Sequence, residues 1–290
     1  MSGQPDRRWW LIWFALLVLG LLFHPFLVMA AGLPELKEAT LRSFRAYVAQ
    51  TEQRNEQGLQ NGAFLWIDGL SGDARIDAVA GLRLGGVLVR QLHGKNSGTA
   101  PQISGGMIHD WQGIVFVPGA RLDEVLALLE DYDHHASYYS PDVDRSKIEA
   151  HDGDHYHVFM RFRRHKVVTV VLNTEQDINY YRDSPTRAHS RSTATRIREV
   201  ADPGTSQERE KSPNSDNGFL WQMETWWRME ERDGGVYVQN EAITLTREIP
   251  IGLGWLIEPF VTSIPKETLE FTLGATRKAV LVREKRADAR

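Results

Sequence analysis

The sequence predicts an α+β fold: an antiparallel β-sheet wrapped around a long C-terminal helix, with a mostly helical N-terminal extension ahead of it. Three observations predict it. Asp152-Gly153 and Asp233-Gly234 each separate two strand-like runs, 147–151 from 155–163 and 219–231 from 236–247, and glycine accepts the positive φ that tight hairpins need. Between residues 108 and 139 a strand is followed by two short helical stretches. From Pro265 onward Leu269, Leu273, Thr276 and Val280 form one stripe, with Phe271, Ala275 and Val282 on its shoulder. A stripe that wide requires a broad apolar partner, and the concave face of a sheet supplies one.

The first element is an address. Arg7 and Arg8 precede an apolar run from Trp9 to Phe23, Pro25 breaks it, and Val28-Met29-Ala30 offers a small-residue junction. These are the parts of a secretory signal peptide over residues 1–30, with cleavage expected after Ala30. The other reading is an anchor, because residues 9–31 are about long enough to span a bilayer. In both readings the arginines stay on the cytoplasmic side and the rest of the chain is outside, periplasmic or secreted. Removing residues 1–30 takes away two arginines and one aspartate, so the formal charge of −4 becomes −5. With no basic run to meet a phosphate backbone, nucleic acid is excluded as an expected partner. The chain has no cysteine, so neither a disulfide nor thiolate chemistry is available.

Residues 36–57 carry Leu41, Phe44, Tyr47 and Val48 at helical spacing, and 73–84 carry Ile76, Val79, Ala80 and Leu84, with Gly85-Gly86 as a stop. Val87–Leu92 reads as a strand, and the Gly, Ser and Asn-rich stretch 93–106 marks the end of an extension spanning 31–106. The principal domain, 107–283, opens with a strand over 108–117, turned by Pro118-Gly119. Leu122, Val125, Leu126 and Leu129 then share one helix face, and 132–139 forms a second short helix before Pro141. The hairpins follow, joined by strands at 167–172 and 190–200. In the last helix Pro265 suits the first turn, Glu267 and Glu270 lie near the positive end, and Arg277, Lys278 and Arg283 near the negative end. Residues 284–290 are a charged tail.

The run 111–117, the helices of 121–139, the strands between 144 and 248, the phrase Ile249–Phe260 and the closing helix 265–282 together resemble the START-like, helix-grip superfamily, also called SRPBCC. The resemblance covers 107–283 and extends to exported bacterial proteins of this layout. The superfamily includes lipid-transfer domains, quinone-binding proteins, plant hormone-binding proteins and polyketide cyclases, which share a cavity between the sheet and the last helix. The resemblance therefore implies an exported, non-catalytic binding or transport protein for a lipid, isoprenoid or other hydrophobic small molecule, with transient membrane contact. An interaction module with a filled core, or a cyclase-like enzyme using a cavity acid or base, are the alternatives.

Candidate cavity residues follow from side-chain direction. Alternation places Trp221 and Trp227, with Phe219, on one face and Trp226 on the other. Trp111, Tyr138, Tyr139, Phe159, Trp255 and Phe260 could join them, the last two on a mobile loop, 252–260, forming the mouth. Ordinary core packing is the competing role for each aromatic. Arg161 shares a face with Phe159, and Arg228 with Glu241 could pair inside to orient a polar ligand end, although outward arginines pairing across strands is the simpler account. His155 and His157 share a face and could bind zinc, yet polar residues at a hairpin end need no metal. No G-x-S-x-G and no phosphate-binding glycine loop is present, so neither a nucleophilic catalyst nor any cofactor is implied.

Overall fold

Residues 36–288 are described in the structure, a computed structural model, apart from 61, 94–102, 166–168, 214 and 249–253; side-chain placements exclude 93, 254–262 and 284–288. The address segment 1–30, Gly252, and the side chains of Trp255 and Phe260 lie outside these. Helix α1 (Glu38–Gln60) and helix α2 (Gly72–Arg83) flank a 3-10 turn at Trp66–Gly69, and β1 (Leu88–His93) follows. Then come β2 (Gly106–Pro118), α3 (Leu122–Leu129), a 3-10 turn at Tyr132–His134 and α4 (His135–Tyr138). The hairpin strands are β3 (Val143–Asp152), β4 (His155–His165), β5 (Thr169–Ser184), β6 (Arg187–Ala201), the short β7 (Arg209–Glu210), β8 (Gln222–Arg232) and β9 (Gly235–Arg247). Helix α5 (Gly254–Asp288) closes the chain.

One antiparallel sheet runs in the order β1-β2-β9-β8-β6-β5-β4-β3, with β7 pairing on β6. The β2–β9 ladder is continuous, from Gly106 opposite Arg247 to Pro118 opposite Gly235, so facing side chains can be followed without a slip. Val115 and Val117 of β2, Val236 and Val238 of β9 and Met229 of β8 share a buried cluster with Leu269, Leu273 and Val280 of α5 and with the apolar face of α3. This is the inner face. Gly113 seats the helix: a Cβ there would lie 2.6 Å from Leu273 Cδ1 and 3.1 Å from Leu269 Cγ. A larger residue would require the Leu269 and Leu273 side chains to shift.

The opposite face is also covered. Ile114 and Phe116 of β2 and Tyr237 of β9 pack with Phe64, Leu65, Ile67, Ala78 and Leu82 of the N-terminal segment. Ile108, Ile243 and Leu245 pack with Phe44, Tyr47 and Val48 of α1 and with Trp221 and Trp226. Strands buried on both faces lose the apolar/polar alternation that marks a half-buried sheet.

Three expectations change. The last helix starts at Gly254, not Pro265, so 254–260 is helical backbone and not a loop. Strand β5 extends to Ser184, well beyond residue 172. Its stretch from Asn173 to Arg182 is polar enough to pass for a loop, yet Thr174, Gln176, Ile178 and Tyr180 are buried. Residues 219–221 precede β8 and do not continue its alternation.

Because Phe44 is almost fully buried against the sheet, Phe44→Ala removes core and not a surface contact. We expect a stability loss of about 3 kcal/mol or more in urea unfolding; an unchanged midpoint would mean that α1 is an appendage.

Candidate functional site

The inner face divides into two halves. Toward α3 the interior is filled: Val115, Val117, Met229, Val236, Val238 and Leu273 are fully buried, and Tyr139 Oη meets Thr276 Oγ1 of α5 at 3.0 Å. Burial pushes the Tyr139 phenol up to about 12. Beside it Tyr132 and Tyr180 share a hydroxyl contact of 2.7 Å. Toward the start of α5 the inward positions are different. Met107, Trp111, Met223, Thr225, Trp227, Ala242, Thr244 and Phe162 are each only half-buried, although they lie within strands of a continuous sheet. Polar side chains line the middle of this half: Ser192 donates to Gln176 Oε1 (3.0 Å), Gln176 donates to Thr174 Oγ1 (3.1 Å), and Thr174 donates to the Met160 carbonyl (3.1 Å). His109 also faces inward, Nε2 at 3.0 Å from Thr246 Oγ1, and burial holds its imidazole down at about 4. A curved antiparallel sheet gripping one C-terminal helix, filled at one end and lined with half-buried apolar side chains at the other, defines the architecture. The chain has a helix-grip α+β fold.

No family model matches the sequence, and no curated protein matches it. Among solved structures, a Thermus thermophilus protein is 16% identical over 59% of this chain and 97% of its own, with a TM-score of 0.44. A STAR-related lipid transfer protein from Xanthomonas axonopodis is 17% identical (62% and 96% covered, TM-score 0.41). The Zhui aromatase/cyclase from Streptomyces is 12% identical (61% and 95% covered, TM-score 0.40).

The helix-grip interior receives some of the candidate residues and not others. Trp111 and Trp227 face into the open half and pack against the inner cluster. Tyr139 belongs to the filled half, and Tyr138 lies at its edge, where its hydroxyl meets Asp131 and Arg283. Phe159 and Arg161 are on the outer face, opposite to the expectation: in β4 the even positions Tyr156, Val158 and Met160 are the buried inner ones, and Arg161 forks onto Glu208 at 2.9 and 2.8 Å. Trp221 is also outside, packed with Trp226 beneath α1. Arg228 and Glu241 lie on the outer face too and do not pair with each other; each has a partner in the N-terminal segment. His157 meets Asp177 at 2.6 Å, and that bond raises its pKa. Among the described residues no group of three His, Asp or Glu side chains could hold a metal ion. The inward polar row of β5 and β6 escaped the sequence reading, because Ser and Thr alternation carries no hydrophobic signal.

The outer cluster is where charge is buried. Tyr47 donates to Asp110 Oδ2 (2.7 Å), Arg54 pairs with Glu241, and Gln112 donates to the same carboxylate (3.3 Å) while accepting from Arg90 at 2.9 and 2.6 Å. Arg228 donates to the carbonyls of Asn55 (2.7 Å) and Phe64 (2.9 Å), holding the last turns of α1 and the following loop to β8. Burial, reinforced for Glu241 by the neighbouring Asp110 charge, pushes both carboxyls above their ordinary values, 4.5 for Glu241. A carboxyl whose folded pKa is raised binds more protons folded than unfolded, so its contribution to stability falls as pH rises above about 4.5. Glu241→Gln removes that slope. Urea unfolding should show the stability difference between variant and wild type moving in the variant's favour from pH 4.5 to about 7 and levelling off above that; a pH-independent difference would contradict the raised carboxyl.

Proposed function

We propose that the open half of the helix-grip interior binds a hydrophobic small molecule without covalent chemistry, and that the protein works as an exported carrier of it. One observation carries the reading: Met107, Trp111, Phe162, Met223 and Trp227 face inward yet remain half-buried, whereas the same face under α3 and the later turns of α5 is fully packed. Interiors pack to crystal-like density, so apolar side chains left half-covered inside a sheet call for an apolar occupant. Export is proposed from the basic, apolar and small-residue pattern of residues 1–30.

The full chain, expressed in a secreting host, should yield a denatured mass shortened by residues 1–30 and a native mass that includes a dissociable hydrophobic ligand. Binding is then read with N-phenyl-1-naphthylamine, an uncharged apolar probe. Ala242 sits inward beside Trp111 in the β2–β9 ladder. Ala242→Trp should fill the open half and weaken the probe by about tenfold or more, while Phe159→Ala on the outer face leaves it unchanged. Equal binding by all three proteins would place the probe elsewhere and remove the proposal.

A second reading rests on His109. A neutral imidazole facing the same half offers a bound ligand a hydrogen-bonding ring nitrogen and a weak base, the group an acid/base step would use. Incubating the recovered ligand with wild type and with His109→Gln separates the readings: a mass change seen only with wild type favours catalysis, and an unchanged ligand in both favours the carrier.

A further inference from the structure

Among the described residues, two buried polar atoms at inward strand positions have no hydrogen-bond partner: Trp111 Nε1 on β2 and Ser190 Oγ on β6. Their neighbours are satisfied differently. Thr174, Gln176 and Ser192 spend their hydrogen bonds on one another and on a backbone carbonyl, and Asn240 donates to the Trp226 carbonyl at 3.4 Å. The other unpartnered atoms within strands, Asp110 Oδ1, Arg191 Nε, Glu230 Oε2 and Arg247 Nη1, belong to outward positions, and Asp142 Oδ2, just ahead of β3, faces Arg164. Trp111 is also one of the half-buried side chains of the open half, and Ser190 stands at the border of the two halves, opposite half-buried Trp227 in the β6–β8 ladder and opposite Tyr180 of the filled half in the β5–β6 ladder. A buried donor without an acceptor is rare in folded proteins and is normally met by water or a ligand.

The inward strand positions nearest these atoms carry no formal charge. Among the described residues, those from Met107 and Trp111 through Asn240, Ala242, Thr225 and Trp227 to Ser190, Ser192, Gln176 and Thr174 include no carboxylate, ammonium or guanidinium; further along the same face Glu199, opposite Leu172, is already bound to Lys211 (2.9 Å) and to the Asn217 and Phe219 amides. His109 is held neutral there. Arg164, at the end of β4, is already bound to Asp142 (2.7 Å) and Thr268 (2.8 Å). An ionised head group carried into this space would lose its hydration and meet no counter-charge.

We propose that the ligand is a hydrophobe bearing an uncharged oxygen function, a hydroxyl or carbonyl, which accepts from Trp111 Nε1 or bonds to Ser190 Oγ, and that carboxylate and phosphate amphiphiles are rejected. This rests on the reading of the open half as the ligand cavity. Trp111 and Ser190 stand three strand spacings apart, about 14 Å, so each is tested by itself.

The test is displacement of N-phenyl-1-naphthylamine from the full-length protein by a matched ten-carbon series: 1-decanol, 2-decanone, decanoate and decane. Wild type should bind the alcohol or ketone roughly tenfold more tightly than decane or decanoate, one well-made hydrogen bond being worth about that ratio. Trp111→Phe or Ser190→Ala should bring that preference down to the level of decane while the probe itself still binds, which also shows that the variant is folded. Decanoate binding as tightly as decanol, or a preference unchanged in both variants, would overturn the head-group assignment and leave apolar binding standing. Failure of wild type to bind the probe and all four compounds would overturn both.

Discussion

Burial of the central strands on both faces is the constraint from which the rest of this structure follows. Strands β2, β9 and β8 face α5 on one side and the N-terminal segment on the other, so each side must be closed by its own partner. The inner side solves this with a helix from the C-terminal end of the chain. The outer side uses α1, α2 and the turn at Trp66–Gly69, which contribute Phe44, Phe64, Leu65 and Leu82 to clusters as dry as the inner one. A sheet in this setting cannot bend or slip without breaking two packed layers at once.

The cost of covering the second face is visible in its charges. Asp110, Glu241 and Arg228 are all buried there, and each is accommodated by a specific donor or acceptor reaching from the N-terminal segment: Tyr47, Arg54, or the carbonyls of Asn55 and Phe64. Truncating one partner of such a set leaves the other uncompensated. These contacts fix where α1 lies more than they add to stability, since apolar side chains of the same volume would pack there without the desolvation.

Much of the architecture was legible in the sequence. The Asp-Gly turns fixed the hairpins, and the stripe Leu269, Leu273, Thr276 and Val280 identified the gripped helix, because these signals are local. Which face of each strand points inward was not local information. Phe159-Met160-Arg161-Phe162 presents large side chains at every position, and only the pairing of Met160 with Thr174 and of Phe159 with Glu175 tells the sides apart. Trp226 and Trp227 do fall on opposite faces, as strand alternation requires. The true interior row, Thr174, Gln176, Ser190 and Ser192, is polar, and a search for a lipid pocket by apolar residues passes over it.

Gly113 gives the gripped helix a fulcrum. Leu269 and Leu273 touch the sheet there with no side chain between, while further along Arg277 donates to the Phe116 carbonyl (3.0 Å) and Arg283 pairs with Asp131. The later turns of the helix are thus tied down by cations at two points. Force on these later turns is therefore passed directly into β2 and into the segment after α3, so that helix and sheet form one mechanical unit there.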